Sequence, residues 1–492
     1  MDKIIILGGG LSGLAAGIRA IELGYEPLIL EKNSVSGGLC STYKRDGAYL
    51  DLCIHYLLGI GDEPMRKIYE KLGCLDKGSI IKLPYFYKFY YKDKTITISR
   101  NINEFKNELL SNCSFNEDIK EIKLFIKYIK NFRYFPMIAK KSTEIMNRFE
   151  YIKTGMGYLK YIPTYRKIAR LTIEEYASRY KTDILKEFML SFMPSSFTMT
   201  YLIGVISKFI TGNADILNIS SSDFSYNVLN KYLSLGGKIL YNEEVQSLEY
   251  DNNSIKRIIT KNNTYEDFSY VINATPLNYF YNNLLDNKYK TELVDKEIND
   301  YENNKIIASY VVFYKIKKEY AHHIPHYFII KNEDNIKVAN NINSSIGFRS
   351  YEYLKNDDDT ITISAIVDQT IDDYNYWVSL KENNTYKEEK MKKALEIKEL
   401  LIKKLPFLSN IIEVVDVITP LSIENRCNAL YGGYLSNLGT KTSTRGIFEV
   451  KSSKLNNLYH AGQMVYVIGG IVGALVNGIF SVDVLDYNIK KK

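Results

Sequence analysis

Cysteine is sparse in this 492-residue chain and shows no pairing pattern: Cys40, Cys53, Cys74, Cys113 and Cys427 are odd in number and contain no C-x-x-C. A disulfide framework is not expected in so large a chain, and reduced thiols in a cytosol are the simpler reading. A strong charge of one sign is also missing. The 64 basic and 57 acidic residues leave +7, too mild by itself to imply nucleic acid. Uninterrupted apolar runs are short. The one long run, Met464 to Leu485, is broken by Gly469, Gly470, Gly473, Asn477, Gly478 and Asp483. A spanning helix tolerates some of these breaks, whereas a buried helix accounts for all of them. Only Met1-Asp2-Lys3 precedes the first apolar run, which leaves no room for a signal peptide, so a cytoplasmic location is expected. Apolar content of 46% and charged content of 25% are those of a globular protein, and the length calls for more than one core.

What the chain does have stands at its start. Ile4 to Leu7 is a short apolar run of the kind that suits a parallel strand buried on both faces. Gly8, Gly10 and Gly13 follow as G-x-G-x-x-G, enclosing Leu11 and Ser12. The first glycine permits a tight turn, the second a close backbone approach to pyrophosphate, and the third close packing of the next helix on the strand. Leu14, Ala15, Ile18, Ile21 and Leu23 continue at helical spacing to a stop at Gly24. A helix beginning at this turn aims its N–H groups and positive dipole end at phosphate. A second strand, Pro27 to Leu30, ends at Glu31, 18 residues past Gly13 and placed to accept hydrogen bonds from a ribose diol. A carboxylate there favours a plain ribose, so the ligand is an adenine dinucleotide, NAD or FAD.

Lys32, the pair Gly37-Gly38, Leu39, and then Gly47, Asp51, Cys53, Ile54 and His55 choose between them. This stretch resembles the FAD-dependent oxidoreductases of the phytoene desaturase type, a group that includes carotenoid isomerases and retinol saturases and, more distantly, amine oxidases. The resemblance implies that the second glycine pair passes close to the FAD pyrophosphate and flavin. It extends to residues 236–276, where Val245 is implied to contact adenine, and to residues 416–485. There Gly462 and Gln463 are implied to meet the ribityl and phosphate portion, and Gly469-Gly470-Ile471 to open a helix facing the flavin. One departure stands out. The family pattern Pro-x-Gly-Gly-Ser is replaced by Leu217-Asn218-Ile219-Ser220-Ser221, which puts the usual active-site geometry in question.

Between these motifs the chain reads as a hairpin near Tyr85 to Ser99, a helical region from Glu117 to about Arg170 broken at Pro136 and Pro163, a helix from Asn227 to Leu235, and strands at Lys305 to Lys315 and Thr360 to Asp368. From Ile119 to Arg170 there are 13 Lys or Arg against three acids, with Ile122, Phe125, Ile126, Ile129, Phe132, Tyr134 and Phe135 at helical spacing between them. Such a segment fits a solvated lysine-rich face over a core stripe, the reading preferred here, or a membrane interface on the inner face of a membrane. His322, His323 and His326 lack an acidic partner and precede an apparent strand, so no metal site is expected.

The expected fold is α/β: a Rossmann-like FAD-binding domain, discontinuous over 1–82, 212–285 and 415–492, with an inserted mixed α+β substrate domain from 83–211 and 286–414. The resemblance implies desaturation, saturation or isomerisation of an apolar, isoprenoid or lipid-like substrate by hydride transfer at flavin N5. No side chain is assigned as acid or base. His55 is a candidate for lining the flavin, with a structural histidine the plainer reading. An amine oxidase would need an aromatic cage and a lysine near N5, a sugar mutase a basic diphosphate pocket, and a non-catalytic scaffold only the bound flavin.

Overall fold

The computed structural model describes residues 2–61, 63–75, 78–435, 440–442, 449–465 and 469–491. Tyr466, Val467 and Ile468, inside the closing motif, lie outside them. In chain order the elements that position the site are β1 (Lys3–Leu7), α1 (Leu11–Glu22), β2 (Glu26–Leu30), β3 (Tyr85–Tyr91), β4 (Lys94–Ser99), α2 (Asn116–Phe132), α3 (Arg148–Tyr158) and α4 (Ser221–Ser234). They continue as β5 (Lys238–Leu240), β6 (Tyr270–Asn273), β7 (Ala308–Lys317), β8 (Tyr327–Lys331), β9 (Ser345–Ser350), β10 (Thr360–Gln369), β11 (Glu413–Ile418), β12 (Leu458–His460) and α5 (Gly470–Lys490).

Two sheets carry the architecture. The first is five-stranded and wholly parallel, in the order β5-β2-β1-β6-β12. Its central strand is the apolar run at the N-terminus. Ile4, Ile6 and Leu7 are fully buried and Ile5 is nearly so, as a strand covered on both faces requires. Strands from three distant parts of the chain meet here, so the sheet forms only when residues 3–30, 238–273 and 458–460 come together. The second sheet is seven-stranded and mixed, in the order β11-β7-β10-β9-β8-β3-β4. Its only parallel pair is β8 with β3, where the two long stretches of the chain join.

α5 is long and apolar enough to cross a membrane by length and composition, yet two thirds of its apolar 18-residue stretch is buried in the protein. The reason is packing on α1. A side chain at Gly478 would meet the carbonyl oxygen of Ser12 at 2.3 Å and the methyl of Ala15 at 2.9 Å, so the two helices approach as only glycine allows. Two local expectations need correction. Pro163 begins a helix, Ile162–Ile168, instead of breaking one, because proline suits a first turn whose N–H groups are unbonded anyway. The helix expected from Asn227 starts at Ser221, because Ser220 and Asp223 form a capping box six residues earlier.

Candidate active site

A cavity of about 730 Å³ lies between the two sheets, within the size range of small-molecule and cofactor sites. Its first part is built by the glycine turn. Gly8 has φ +102°, a conformation that side chains resist, and carries the chain off β1. Gly10 caps α1 with no side chain and no acid follows in the first turn, so the positive helix end is left for an anion. Gly37 (φ +106°) and Gly38 (φ +60°) lie opposite, and a side chain at Gly38 would meet the Gly10 Cα at 3.3 Å.

Glu31 is buried, and its carboxylate accepts from the amides of Gly9 (2.8 Å) and Asn33 (2.8 Å) and from the Asn33 side chain (2.8 Å). A carboxylate offers about four acceptor sites, so one is left for a ribose hydroxyl. Lys32 donates to Asn428 Oδ1 (2.5 Å) and the Asn425 carbonyl (2.9 Å), which ties this corner to the end of the chain. Ser12 Oγ is buried in the wall with no protein partner, as a donor meant for a ligand would be. Leu11, Leu39 and Val245 line the same cleft. On the far side Gly462 (φ +112°), Gln463, Gly470 and Ile471 complete it. Gln463 bridges, taking the Gly470 amide (2.9 Å) and donating to the Tyr434 carbonyl (3.2 Å), so its amide holds the entry to α5. Of the residues named for the cofactor, Gly13 alone is not in the wall. A Cβ there would sit 2.0 Å from the Gly8 carbonyl oxygen, so its part is to let α1 close on the turn. An open helix end, a crossing of bare glycines, a buried hydroxyl without a partner and a ribose-directed carboxylate fit an adenine dinucleotide.

The second part of the cavity is walled by one face of the mixed sheet. Ser309 and Val311, Tyr327 and Ile329, Ser345 and Gly347, and Ile366 and Asp368 are alternate residues of β7, β8, β9 and β10, and all line it. Tyr56, Leu57, Phe192, Phe197, Ile307 and Tyr434 close the remainder. The wall is therefore mostly apolar and aromatic, with Asp368 as its carboxylate. Burial raises the Asp368 pKa to about 6, and Tyr434 Oη donates to it only at 3.4 Å. Lys32 is the lysine in the lining, and it stands beside Glu31 and away from this sheet face.

His55 is also in the wall. Burial, then the neighbouring Arg349, lowers its pKa to about 3, so it is neutral at ordinary pH. Arg349 Nη1 lies 3.3 Å from His55 Nδ1, and since a guanidinium only donates, Nδ1 accepts and Nε2 carries the proton. Arg349 is itself buried, donating to the Ile54 carbonyl and to Tyr353 Oη (2.7 Å) while its charge is balanced by the nearby Asp51. Sequence reasoning singled out neither Arg349 nor Asp368. The available signal was a charged residue on an otherwise apolar or small strand face: Thr362, Ser364, Ile366, Asp368. His322 and His323 are exposed on a turn before β8, and among the described residues no cluster of metal-binding side chains forms.

The replaced glycine pattern turns out to lie behind the wall. Ser221 gives its amide (2.8 Å) and hydroxyl to Asp51, and Ser222 exchanges hydrogen bonds with Thr42 (2.7 and 3.2 Å). Residues 217–222 are not among those lining the cavity.

The fold and the site together define a Rossmann-like dinucleotide-binding unit joined to a mixed-sheet layer, the fold of the amine-oxidase-like flavin oxidoreductases. Residues 6–72 match the family model for the NAD(P)-binding Rossmann-like domain. A 4,4'-diaponeurosporene oxygenase of Staphylococcus aureus is 31% identical over 136 residues, which is 26% of this chain and 25% of the relative. The chain thus aligns with about a quarter of that relative's length. An oxidoreductase from Methanosarcina mazei superposes with a TM-score of 0.58 at 13% identity, covering 98% of this chain and 100% of that one. Putrescine oxidase bound to putrescine gives 0.57 at 12% identity, covering 99% of each. The resemblance read from the sequence is borne out, and with it the fold class.

Proposed function

We propose that this chain is an FAD-dependent oxidoreductase acting on CH–CH or C=C bonds of an apolar, isoprenoid or lipid-like substrate. The observation that carries the reading is the continuity of one cavity, in which a glycine-lined dinucleotide cleft runs into a chamber whose walls are mostly apolar and aromatic. When bound, FAD supplies hydride transfer at N5. The chain's own residues hold the adenine-linked half through Glu31, Ser12 and the start of α1, and keep water from the chamber with Tyr56, Phe192, Tyr327 and Tyr434. Dehydrogenation releases a proton as well as a hydride, and Asp368 is the carboxylate on the sheet face that can take or return it. The Staphylococcus aureus relative is named for diaponeurosporene, an apolar polyene that suits such a wall.

Amine oxidation is the second reading, and Asp368 is what favours it, since a buried carboxylate can hold an ammonium group. Against it stands the position of Lys32, beside Glu31 instead of in front of the sheet. Anaerobic photoreduction of the yellow protein, followed by candidate polyenes, separates the readings: reoxidation by a polyene is expected. In a separate anaerobic mixture that starts from the oxidised flavin, reduction by primary amines and not by hydrogenated polyenes would select the second reading. A flavin that exchanges electrons with nothing added would leave a flavin-bearing scaffold.

A further inference from the structure

α3 places no side chain in the core. None of its side chains, from Arg148 to Tyr158, is buried against the rest of the protein. Isolated helices shorter than about 12–15 residues are marginal in water, and tertiary packing normally supplies what is missing. The Asn147–Glu150 capping box and the Lys141–Glu150 ion pair at 2.6 Å hold its start, and the Tyr158 ring at its end packs on Phe135 with centroids 5.4 Å apart.

The exposed side chains are of the wrong kind for water. Phe149 is 72% exposed, Ile152 61% and Met156 64%, and at spacings i, i+3 and i+7 they share one face; Leu159 follows at 57%. Single exposed apolar residues are ordinary, but a contiguous set marks an interaction surface. α2 differs, although it lies in the same basic stretch. Its Ile122, Phe125, Ile126, Ile129 and Phe132 are all in the core, so there the preferred reading of a core stripe holds and the membrane alternative does not.

Charge decides what covers the face. From Tyr134 to Arg170 there are eight Lys or Arg and two Glu. Both acids are engaged, Glu150 in its cap and Glu144 accepting the Val450 amide at 3.0 Å. Lys153 and Lys160 flank the apolar face by helical spacing. A second copy of this chain would set the same basic rim against itself. Nucleic acid would answer the lysines and leave Phe149, Ile152 and Met156 uncovered. A bilayer with anionic headgroups answers both, taking apolar side chains into the acyl boundary while lysines reach the phosphates. We propose that α3 and the turn after it dock this protein on an anionic lipid surface. The adjoining helix Ile162–Ile168 fixes the surface to the protein, since Tyr161 and Ile168 are in the core.

The test is flotation of the full-length protein with vesicles of phosphatidylcholine alone or of equimolar phosphatidylcholine and phosphatidylglycerol. Binding to the anionic vesicles is expected at low salt, weakening as the screening length falls from about 10 Å at 0.1 M to about 3 Å at 1 M. K153Q/K160Q should lower partitioning about fivefold per charge removed, and F149S/I152S/M156S at least about tenfold, both with unchanged circular dichroism melts. The proposal is overturned by absence of flotation at low salt, by equal binding to neutral vesicles, or by a triple serine variant that floats like the parent. Sedimentation as a concentration-dependent dimer that F149S/I152S/M156S returns to monomer would assign the face to a second copy and overturn it as well.

Discussion

Asp368→Asn should stabilise the FAD-free protein at alkaline pH and leave it nearly unchanged in acid. The carboxyl lies in the cavity wall, and burial raises its pKa from an ordinary 3.8 to about 6. Below about pH 4 it is protonated in the folded and unfolded chain alike, and its burial carries no charge penalty. Above about pH 6 it is ionised in both, and the folded chain then bears the full desolvation cost. Wild-type stability therefore falls as pH rises through this window. At about 1.4 kcal/mol for each pH unit, the gap is worth about 3 kcal/mol as an upper bound. Equilibrium urea denaturation of both proteins across the window measures it. The expected difference is near zero at about pH 4 and about 2–3 kcal/mol in favour of the asparagine at about pH 8. A difference that does not change with pH would refute the reasoning, since Asp368 would then titrate as it does in water and the chamber would not be shielded.

Glu31→Gln removes the charge that two amides and a side-chain amide converge on; FAD affinity, followed by absorbance titration, should fall about 10- to 100-fold, the loss of roughly 1.5–3 kcal/mol given for hydrogen bonds to a charged group. Gly478→Ala places a methyl 2.3 Å from a backbone oxygen of α1, and thermal melts should show a loss of at least about 1–3 kcal/mol together with weaker flavin retention. Ser221→Ala strips a hydroxyl from the buried Asp51 and should cost about 1–3 kcal/mol in denaturation experiments. His55→Gln should leave the pH profile of activity between about 5 and 9 unchanged in shape, because the histidine is already neutral there.

What could be read from the sequence was what is local. The N-terminal unit packs strand, glycine turn, helix, strand and acid into residues 3–38, and each step constrains the next, so the cleft was legible down to Glu31 and Ser12. The sheet face was not. Alternation along Thr360 to Gln369 says that Thr362, Ser364, Ile366 and Asp368 share a side, but it does not say which side meets a cavity. That depends on β10 pairing with β7 on one side and β9 on the other, in a sheet that reaches β8 and β3 only through further long-range pairing. Arg349 was hidden for the same reason, because its partners Ile54 and His55 are 295 and 294 residues away. The basic region shows the limit most directly. α2 and α3 lie in one basic stretch, yet the apolar residues of one are core and those of the other are exposed, because helical spacing says which residues share a face and not what that face meets.

The serines at 220–222 bear on how much glycine this cavity needs. In the resembling pattern, glycines at this point let backbone come near the flavin. Here Gly37 and Gly38 line the cavity, and a side chain at Gly37 would meet Ser225 Oγ of α4 at 2.7 Å and the Cys40 carbonyl at 2.9 Å. The glycine loop is thus pressed between the cavity and α4. Once α4 lies that close behind Gly37, residues before it no longer reach the wall, and they are free to carry polar side chains. Ser220 caps α4, Ser221 fastens Asp51 and Ser222 fastens Thr42, so the substitution exchanges backbone access for a polar clamp on the two strands that follow the glycine pair. The departure therefore leaves the cavity's lining intact and gives no reason to prefer a scaffold over an enzyme.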